Sequence, residues 1–421
     1  MSNLPILDST GATKYVSFDG AGSSTDPYTH ATVLRDRSGN AASVGVFGEL
    51  LTGSSHSHVE VAFSYPVIDT NFDVDAPVTT GDGTITNTTG VLVASSTTGT
   101  ASLTSKKHIL YKPGHTSYAR FTLAASGAGA AEAGVRNANG DKFSVKIANN
   151  VLSFIRARAG VATEVLSSNF NGQYSVGNLT LTNVNIFEIR WGFLGVADPQ
   201  LWVFGPNGGG WQLLHVERTA GNLTTSHVQI PSFNIFISST GAMTAKTISW
   251  NGGSYGGDDS VGARYFQHAA SKTLTTTDET TVMHYKVKDT YQGLTNMLIA
   301  QAIRVAFFCG ASAANYGTVE FRIYGNATTT GVSAPVDINT MSSGVQYDPG
   351  LSYSSGGVLL YTDWAGYTGA NKAAGVGAAV FNARDLGLFG HASDTFTVTA
   401  KLVEGSDVVV VRSAFNWVER P

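Results

Sequence analysis

The chain has 421 residues, a length at which one hydrophobic core stops growing and two domains are expected. Only 13% of its residues are charged, about half the usual share, and the formal charge of −4 offers no basic footprint for nucleic acid. The lone cysteine, Cys309, excludes an internal disulfide framework and a cysteine-based zinc site.

Met1 to Thr10 carries neither a basic n-region nor an apolar h-region, so the expectation is synthesis in a cytoplasm without a secretory signal. Met297 to Cys309, the longest apolar run, is broken by Gln301 and Arg304. It is shorter than the roughly 20 residues a membrane helix needs, and no membrane insertion is expected. Residues 1–55 show no sustained period beyond a short strand at Tyr15-Val16-Ser17-Phe18. They read as an extended N-terminal docking arm or, equally, as an unstructured leader, because such a segment buries little surface alone.

Strand patterns crowd residues 56–250. Val59-Glu60-Val61-Ala62-Phe63 and Tyr118-Ala119-Arg120-Phe121-Thr122-Leu123 alternate with period two. Phe143–Ile147 and Val151–Ile155 form a predicted hairpin across Ala148-Asn149-Asn150, since asparagine tolerates the left-handed conformation of tight turns. The window Asn185 to Arg218 holds three more strands and half of the chain's six tryptophans. Strands at this spacing, with almost no helical period, predict an antiparallel β-sandwich. If it closes on itself, Val59–Phe63 and Thr247–Trp250 should be neighbours. Residues 251–263, opening Asn251-Gly252-Gly253-Ser254-Tyr255-Gly256-Gly257, read as a Gly-rich linker. Residues 264–421 resume with strand signals such as Thr281–Val287, Thr318–Tyr324, Thr395–Ala400 and Ala414–Glu419. That number of strands fits a jelly-roll-like sandwich; Lys372 to Arg384 is either one helical turn or a loop.

The chemistry-bearing candidates are few. Trp191 and Trp202 sit within apolar strands and are expected in the core. Trp211, following Gly208-Gly209-Gly210, and the pair Trp364 and Tyr367 are the candidate carbohydrate-binding aromatics, because ring faces suit the apolar C–H surfaces of sugars. The one cofactor the sequence offers is Ca²⁺, through the carboxylates of Asp69, Asp73 and Asp75; His56-Ser57-His58 spaces two imidazoles on one strand face. No Gly-x-Ser-x-Gly elbow, P-loop, Cys-x-x-Cys or His-Glu-x-x-His is present. The expectation is therefore a protein that is not an enzyme.

Val59–Tyr65, Ala101-Ser102-Leu103-Thr104-Ser105-Lys106-Lys107-His108-Ile109-Leu110-Tyr111 and Ser117–Thr122 together resemble a domain of tailed-bacteriophage virion structural proteins. Leu4 to Tyr15 and Leu34 to Asn40 look like the leader of that group, and the end Ser413 to Glu419 looks like the module that often follows. The resemblance implies an all-β protein, with a lectin-like (concanavalin-type) β-sandwich followed by a jelly-roll-like one. It also implies a place on the virion, as a tail, baseplate or fibre component or, alternatively, as a capsid decoration protein. Its expected partners are other virion proteins, copies of itself as a homo-oligomer (a trimer among the expected states) and host-surface glycan.

Overall fold

The computed structural model describes residues 55–66, 68–70, 73–88, 90–111, 114–172, 174–192, 197–205, 210–255, 264–296, 298–311, 316–340, 342–368, 394–405 and 408–420, with strands also at 2–7, 13–19, 29–30 and 389–390. Among these residues helical structure is limited to two short 3₁₀ turns, Ser167–Asn169 and Val176–Asn178. All other regular structure is strand, in antiparallel pairs. At the N-terminus Ser2–Leu7, Thr13–Asp19 and Thr29–His30 form a small sheet of their own, and the strand expected at Tyr15–Phe18 lies inside Thr13–Asp19. The expected helical turn or loop at Lys372 to Arg384 lies outside the described residues.

The first sandwich runs through sixteen strands: β1 (Ser55–Ala62), β2 (Val78–Thr80), β3 (Thr84–Thr88), β4 (Val91–Ser96), β5 (Thr100–Thr104), β6 (Ser117–Gly127), β7 (Ala130–Arg136), β8 (Lys142–Ala148), β9 (Val151–Arg158), β10 (Val161–Leu166), β11 (Asn185–Trp191), β12 (Gln200–Phe204), β13 (Trp211–Val216), β14 (Asn234–Thr240), β15 (Met243–Thr247) and β16 (Ser249–Tyr255). One sheet has the order β10-β9-β8-β7-β14-β5-β2. The other has the order β13-β12-β11-β6-β15-β4-β3, and β16 joins it between β6 and β1. The inner faces share one core in which Phe143 of the first sheet lies 6.1 Å from Trp191 of the second, ring centre to ring centre. Truncating a fully buried ring such as Trp191 or Trp250 would cost about 3–5 kcal/mol.

Several local expectations hold. Ala148 pairs with Val151 across a two-residue turn whose Asn149 and Asn150 have φ of 50° and 59°. The sandwich closes as anticipated: Trp250 pairs with Val61, the Phe63 N–H donates to the Ile248 carbonyl at 3.1 Å, and the Phe63 and Trp250 rings meet at 5.0 Å. The glycine-rich stretch differs from expectation. Asn251 to Tyr255 is strand, hydrogen-bonded to both β1 and β6, so the sandwich extends past residue 250. Its glycines serve contact, not flexibility: a Cβ on Gly252 would stand 2.3 Å from Ile109 Cδ1, and one on Gly253 1.8 Å from the His56 carbonyl oxygen. Residues 256–263 lie outside the described set.

The second sandwich comprises β17 (Arg264–Leu274), β18 (Thr280–Val287), β19 (Ile299–Ala311), β20 (Tyr316–Gly325), β21 (Val345–Tyr347), β22 (Val358–Thr368), β23 (Phe389–Gly390), β24 (Thr395–Glu404) and β25 (Val409–Arg420), with shorter strands between them. A four-stranded sheet β17-β25-β19-β23 faces a six-stranded one in which β21-β18-β24-β20-β22 follow Val336–Asp337. Between them lies a second core, separate from the first, where Phe307 stacks on Phe321 at 4.6 Å and Phe396 on Phe415 at 4.7 Å. Cys309 is buried there, and burial pushes its thiol up to about 11.

Candidate functional site

In β11 the residues Phe187, Ile189 and Trp191 face the core, so alternation turns Glu188 and Arg190 outward. Outward is not exposed here. Glu188 is 0% and Arg190 1% accessible, and isolated charges so placed would carry a desolvation cost of several kcal/mol each. They are paired instead. Arg190 Nε donates to one carboxylate oxygen of Glu188 and Arg120 Nε to the other. The Tyr255 hydroxyl donates to both oxygens at 3.2 and 3.3 Å, and accepts from Arg120 Nη2 at 2.5 Å.

Sheet register builds this cluster from distant parts of the chain. Glu188 lies opposite Arg120 on β6 and Trp202 on β12; Arg120 lies opposite Asn251 on β16, and Asn251 opposite Glu60 on β1. One row across five strands thus reads Glu60, Asn251, Arg120, Glu188, Trp202. Arg190 begins the next row, opposite Tyr118 and Gln200. The guanidinium of Arg190 covers the Trp202 ring at 4.3 Å, and that of Arg120 lies 4.7 Å from Tyr118 and 5.4 Å from Trp211. Burial, reinforced by the Glu188 charge, pushes the Tyr255 hydroxyl up to about 12, so it stays a protonated donor at any ordinary pH. Burial works to lower the pKa of Arg120, but Glu188 and Tyr255 beside it outweigh that, and the guanidinium is held charged.

Next to this cluster a groove of about 380 Å³ crosses the sheet, lined by Ser55, Ser57, Glu60, Tyr118, Arg120, Thr122, Ile186, Ser249 and Asn251. Asn251 Nδ2 donates to Ser57 Oγ at 2.8 Å, fixing the amide across the groove. Arg120 spends Nε and Nη2 on Glu188 and Tyr255, and its side chain remains 31% exposed on the groove side. Hydroxyls, an amide, a guanidinium and a carboxylate are groups that hydrogen-bond to a sugar. Glu60 and Glu188 stand three strands apart in this row, roughly 14 Å between their backbones at about 4.8 Å per strand.

The structure sorts the sequence candidates as follows. Trp191 is core, as expected. Trp202 is not: Leu201 and Val203 take the inner face of β12, and Trp202 turns outward to lie under Arg190. Trp211 is half-buried at the start of β13, edge-on to Phe204 at 5.6 Å. Trp364 is 57% exposed on β22, across from Glu320. Tyr367 is only 1% exposed and belongs to the second core, so the expected exposed Trp364–Tyr367 pair is corrected. Three residues apart on one strand, the two rings must face opposite ways.

Asp69, Asp73 and Asp75 do not converge either. Asp73 N–H bonds the Asp69 carbonyl at 3.2 Å in a turn, whereas Asp75 is tied to Thr104 at 2.9 Å. The Asp75 carboxyl, raised by burial, feels Lys106, Asp394 and Arg136 instead of the other two. Among the described residues no group of three or more His, Cys, Asp or Glu side chains is placed to hold a metal ion. His58 of the imidazole pair accepts the Leu110 N–H at 3.1 Å. The residues that the sequence reading missed are Arg120, Glu188, Arg190, Asn251 and Tyr255. One signal was available: Glu188 and Arg190 are charges alternating with Phe187, Ile189 and Trp191 in the middle of an apolar strand.

No protein-family model and no curated protein matches the sequence. Solved structures show limited similarity. A β-glucanase of Bacillus licheniformis superposes with a TM-score of 0.33 at 12% identity, covering 48% of this chain and 99% of that one. The exoplasmic/lumenal domain of VIP36 in its Ca²⁺/Man-bound form gives 0.34 at 10% identity, covering 49% and 94%. Lectin I-B4 from Griffonia simplicifolia, metal-free, gives 0.28 at 14% identity, covering 47% and 99%. The ligands in those names belong to those proteins.

Proposed function

We propose that this chain is a non-enzymatic structural protein of a tailed-phage particle, in the tail, baseplate or fibre, whose first sandwich contacts host-surface glycan. The outer row Glu60–Asn251–Arg120–Glu188–Trp202, with Trp211 beside it, carries the glycan reading. It sets polar groups along a groove of about 380 Å³, with Trp211 reaching that face through Arg120, on rigid strands and not on loops. Contact without chemistry fits the same row, because its buried carboxylate is locked between two guanidiniums. The particle assignment is supported by the sequence blocks Val59–Tyr65, Ala101–Tyr111 and Ser117–Thr122.

A glycan array tests the first part. The wild-type chain should bind a restricted set of glycans, and Trp211→Ala and Asn251→Ala should each lower that binding at least tenfold while Trp364→Ala leaves it unchanged. Binding untouched by the first two, or abolished only by Trp364→Ala, removes this face from the function. A reconstruction of the particle tests the second part: density for the chain at the tail supports it, and density on the head surface replaces it with the capsid-decoration reading.

A further inference from the structure

Each open sheet presents two edges, and a long flat edge is a template for pairing with another chain unless it is shortened, bulged or charged. Most edges of this molecule are blunted in one of those ways. β2, β23 and Val336–Asp337 have two or three residues each. β3 has five and β10, which carries Glu164, has six. β13, β1 and β22 each pair with their neighbour across a β-bulge. β17 differs. It is eleven residues long, pairs with β25 without a register shift from Arg264↔Glu419 to Leu274↔Val409, and among the described residues has no strand on its other side.

Its sequence, Arg-Tyr-Phe-Gln-His-Ala-Ala-Ser-Lys-Thr-Leu, holds no proline and no acidic residue, and Tyr265 is 68% exposed. Pairing this strand along its whole length with another copy of itself, antiparallel, is necessarily centred on Ala269. In that register Ala269 meets Ala269, His268 meets Ala270, Gln267 meets Ser271, Phe266 meets Lys272, Tyr265 meets Thr273 and Arg264 meets Leu274. Neither cation faces a cation. The bulky Tyr265 faces β-branched Thr273, a favourable cross-strand combination, and the two-fold axis passes between small alanines.

We propose that β17 is a two-fold interface between copies of this chain, joining the two four-stranded sheets into one continuous eight-stranded sheet through Ala269. The contact is isologous, so it closes at two copies and differs from the trimer among the expected homo-oligomeric states.

Cysteine chemistry gives the test, because Cys309 is buried with its thiol held protonated and reports nothing. Ala269→Cys places two thiols on opposed residues with Cα atoms about 4.5–5.5 Å apart, within disulfide range. Mild oxidation should convert most of the variant to a covalent dimer on a non-reducing gel, with wild type unchanged. Light scattering of the wild-type chain should give twice the chain mass, and Ala269→Lys, which sets two ammonium groups face to face, should shift it to one. Ala269→Ser, with an unaltered circular dichroism spectrum, should remain dimeric. A monomeric wild type, an oligomer whose mass Ala269→Lys leaves intact, or failure of Ala269→Cys to cross-link overturns the proposal.

Discussion

The two sandwiches place the same charge motif on their outer faces with the signs reversed. In the first, one carboxylate, Glu188, sits between two guanidiniums, Arg120 and Arg190, with the Tyr255 hydroxyl bridging. In the second, one guanidinium, Arg322, sits between two carboxylates, Glu279 at 3.2 Å and Glu320 at 2.9 Å, with the Tyr324 hydroxyl donating to Glu279 at 3.0 Å. Burial separates them. Glu188 and Arg190 are inaccessible, whereas the Arg322 side chain keeps 29% of its surface and Glu279 17%. Solvent screens the second motif and leaves it weakly coupled to stability. At the centre of the first, Glu188 and Arg190 have lost their water, so each depends on its partners. The first motif also lies beside a groove, with Trp202 and Trp211 against its guanidiniums; the second is a surface network.

The comparison breaks most visibly on removing its central residues. Glu188→Gln leaves two guanidiniums packed against each other without a counter-charge, and should cost about 3–5 kcal/mol in urea unfolding. Glu279→Gln should cost about 1 kcal/mol or less by the same measurement. Equal losses would show that burial does not distinguish the two motifs.

The groove wall comes next in size. If Asn251 to Tyr255 were a flexible linker, alanine would be tolerated at either glycine. As strand, Gly253→Ala drives a methyl into the His56 backbone and should cost about 1–3 kcal/mol. Gly252→Ala meets side-chain atoms of Ile109 and Ile235 instead of backbone, and should cost less. Thermal unfolding of the two variants checks the order.

A smaller effect sharpens the contrast by pH. Burial lowers the pKa of His215 in the first sandwich and of His268 and His284 in the second. Each is held neutral in the fold and gains a proton more readily when unfolded. Their contribution is therefore in place above the unfolded histidine value of about 6.5 and is lost as pH falls through and below it. With two such histidines, the second sandwich should lose more stability between about pH 7 and pH 5. Scanning calorimetry across that range should show its transition moving further than the first. The carboxyls of Asp82 and Asp198 are held low by backbone N–H groups that donate to them, Asp82 at about 2, and that of Asp348 by the Ser333 hydroxyl and then the Ala334 and Gly350 N–H groups. Their share is present above about pH 4 and disappears only on further acidification.

Local rules carried the sequence reading a long way. Asn149-Asn150 specified its turn, and period-two alternation located β1, β6 and the closure of Val61 on Trp250. Alternation failed where both kinds of position are apolar. In Leu201-Trp202-Val203-Phe204 nothing local reveals that Trp202 faces out, and its burial comes from Arg190, which arrives from another strand. Trp364 and Tyr367 were grouped by nearness in sequence although their odd spacing divides them between faces. The groove was out of reach for a deeper reason. Ser57, Arg120, Glu188 and Asn251 meet only through the strand order β1-β16-β6-β11, and no short-range signal encodes which distant strands pair.

The central claim is that the face around Arg120 and Glu188 is where a sugar rests. A crystal structure of the chain soaked with the strongest array ligand tests it most directly. The account predicts sugar density along the groove, in hydrogen-bond contact with Asn251 and the free edge of Arg120 and against Trp211. Density over Trp364 on the second sandwich instead, with the groove holding only water, would contradict it.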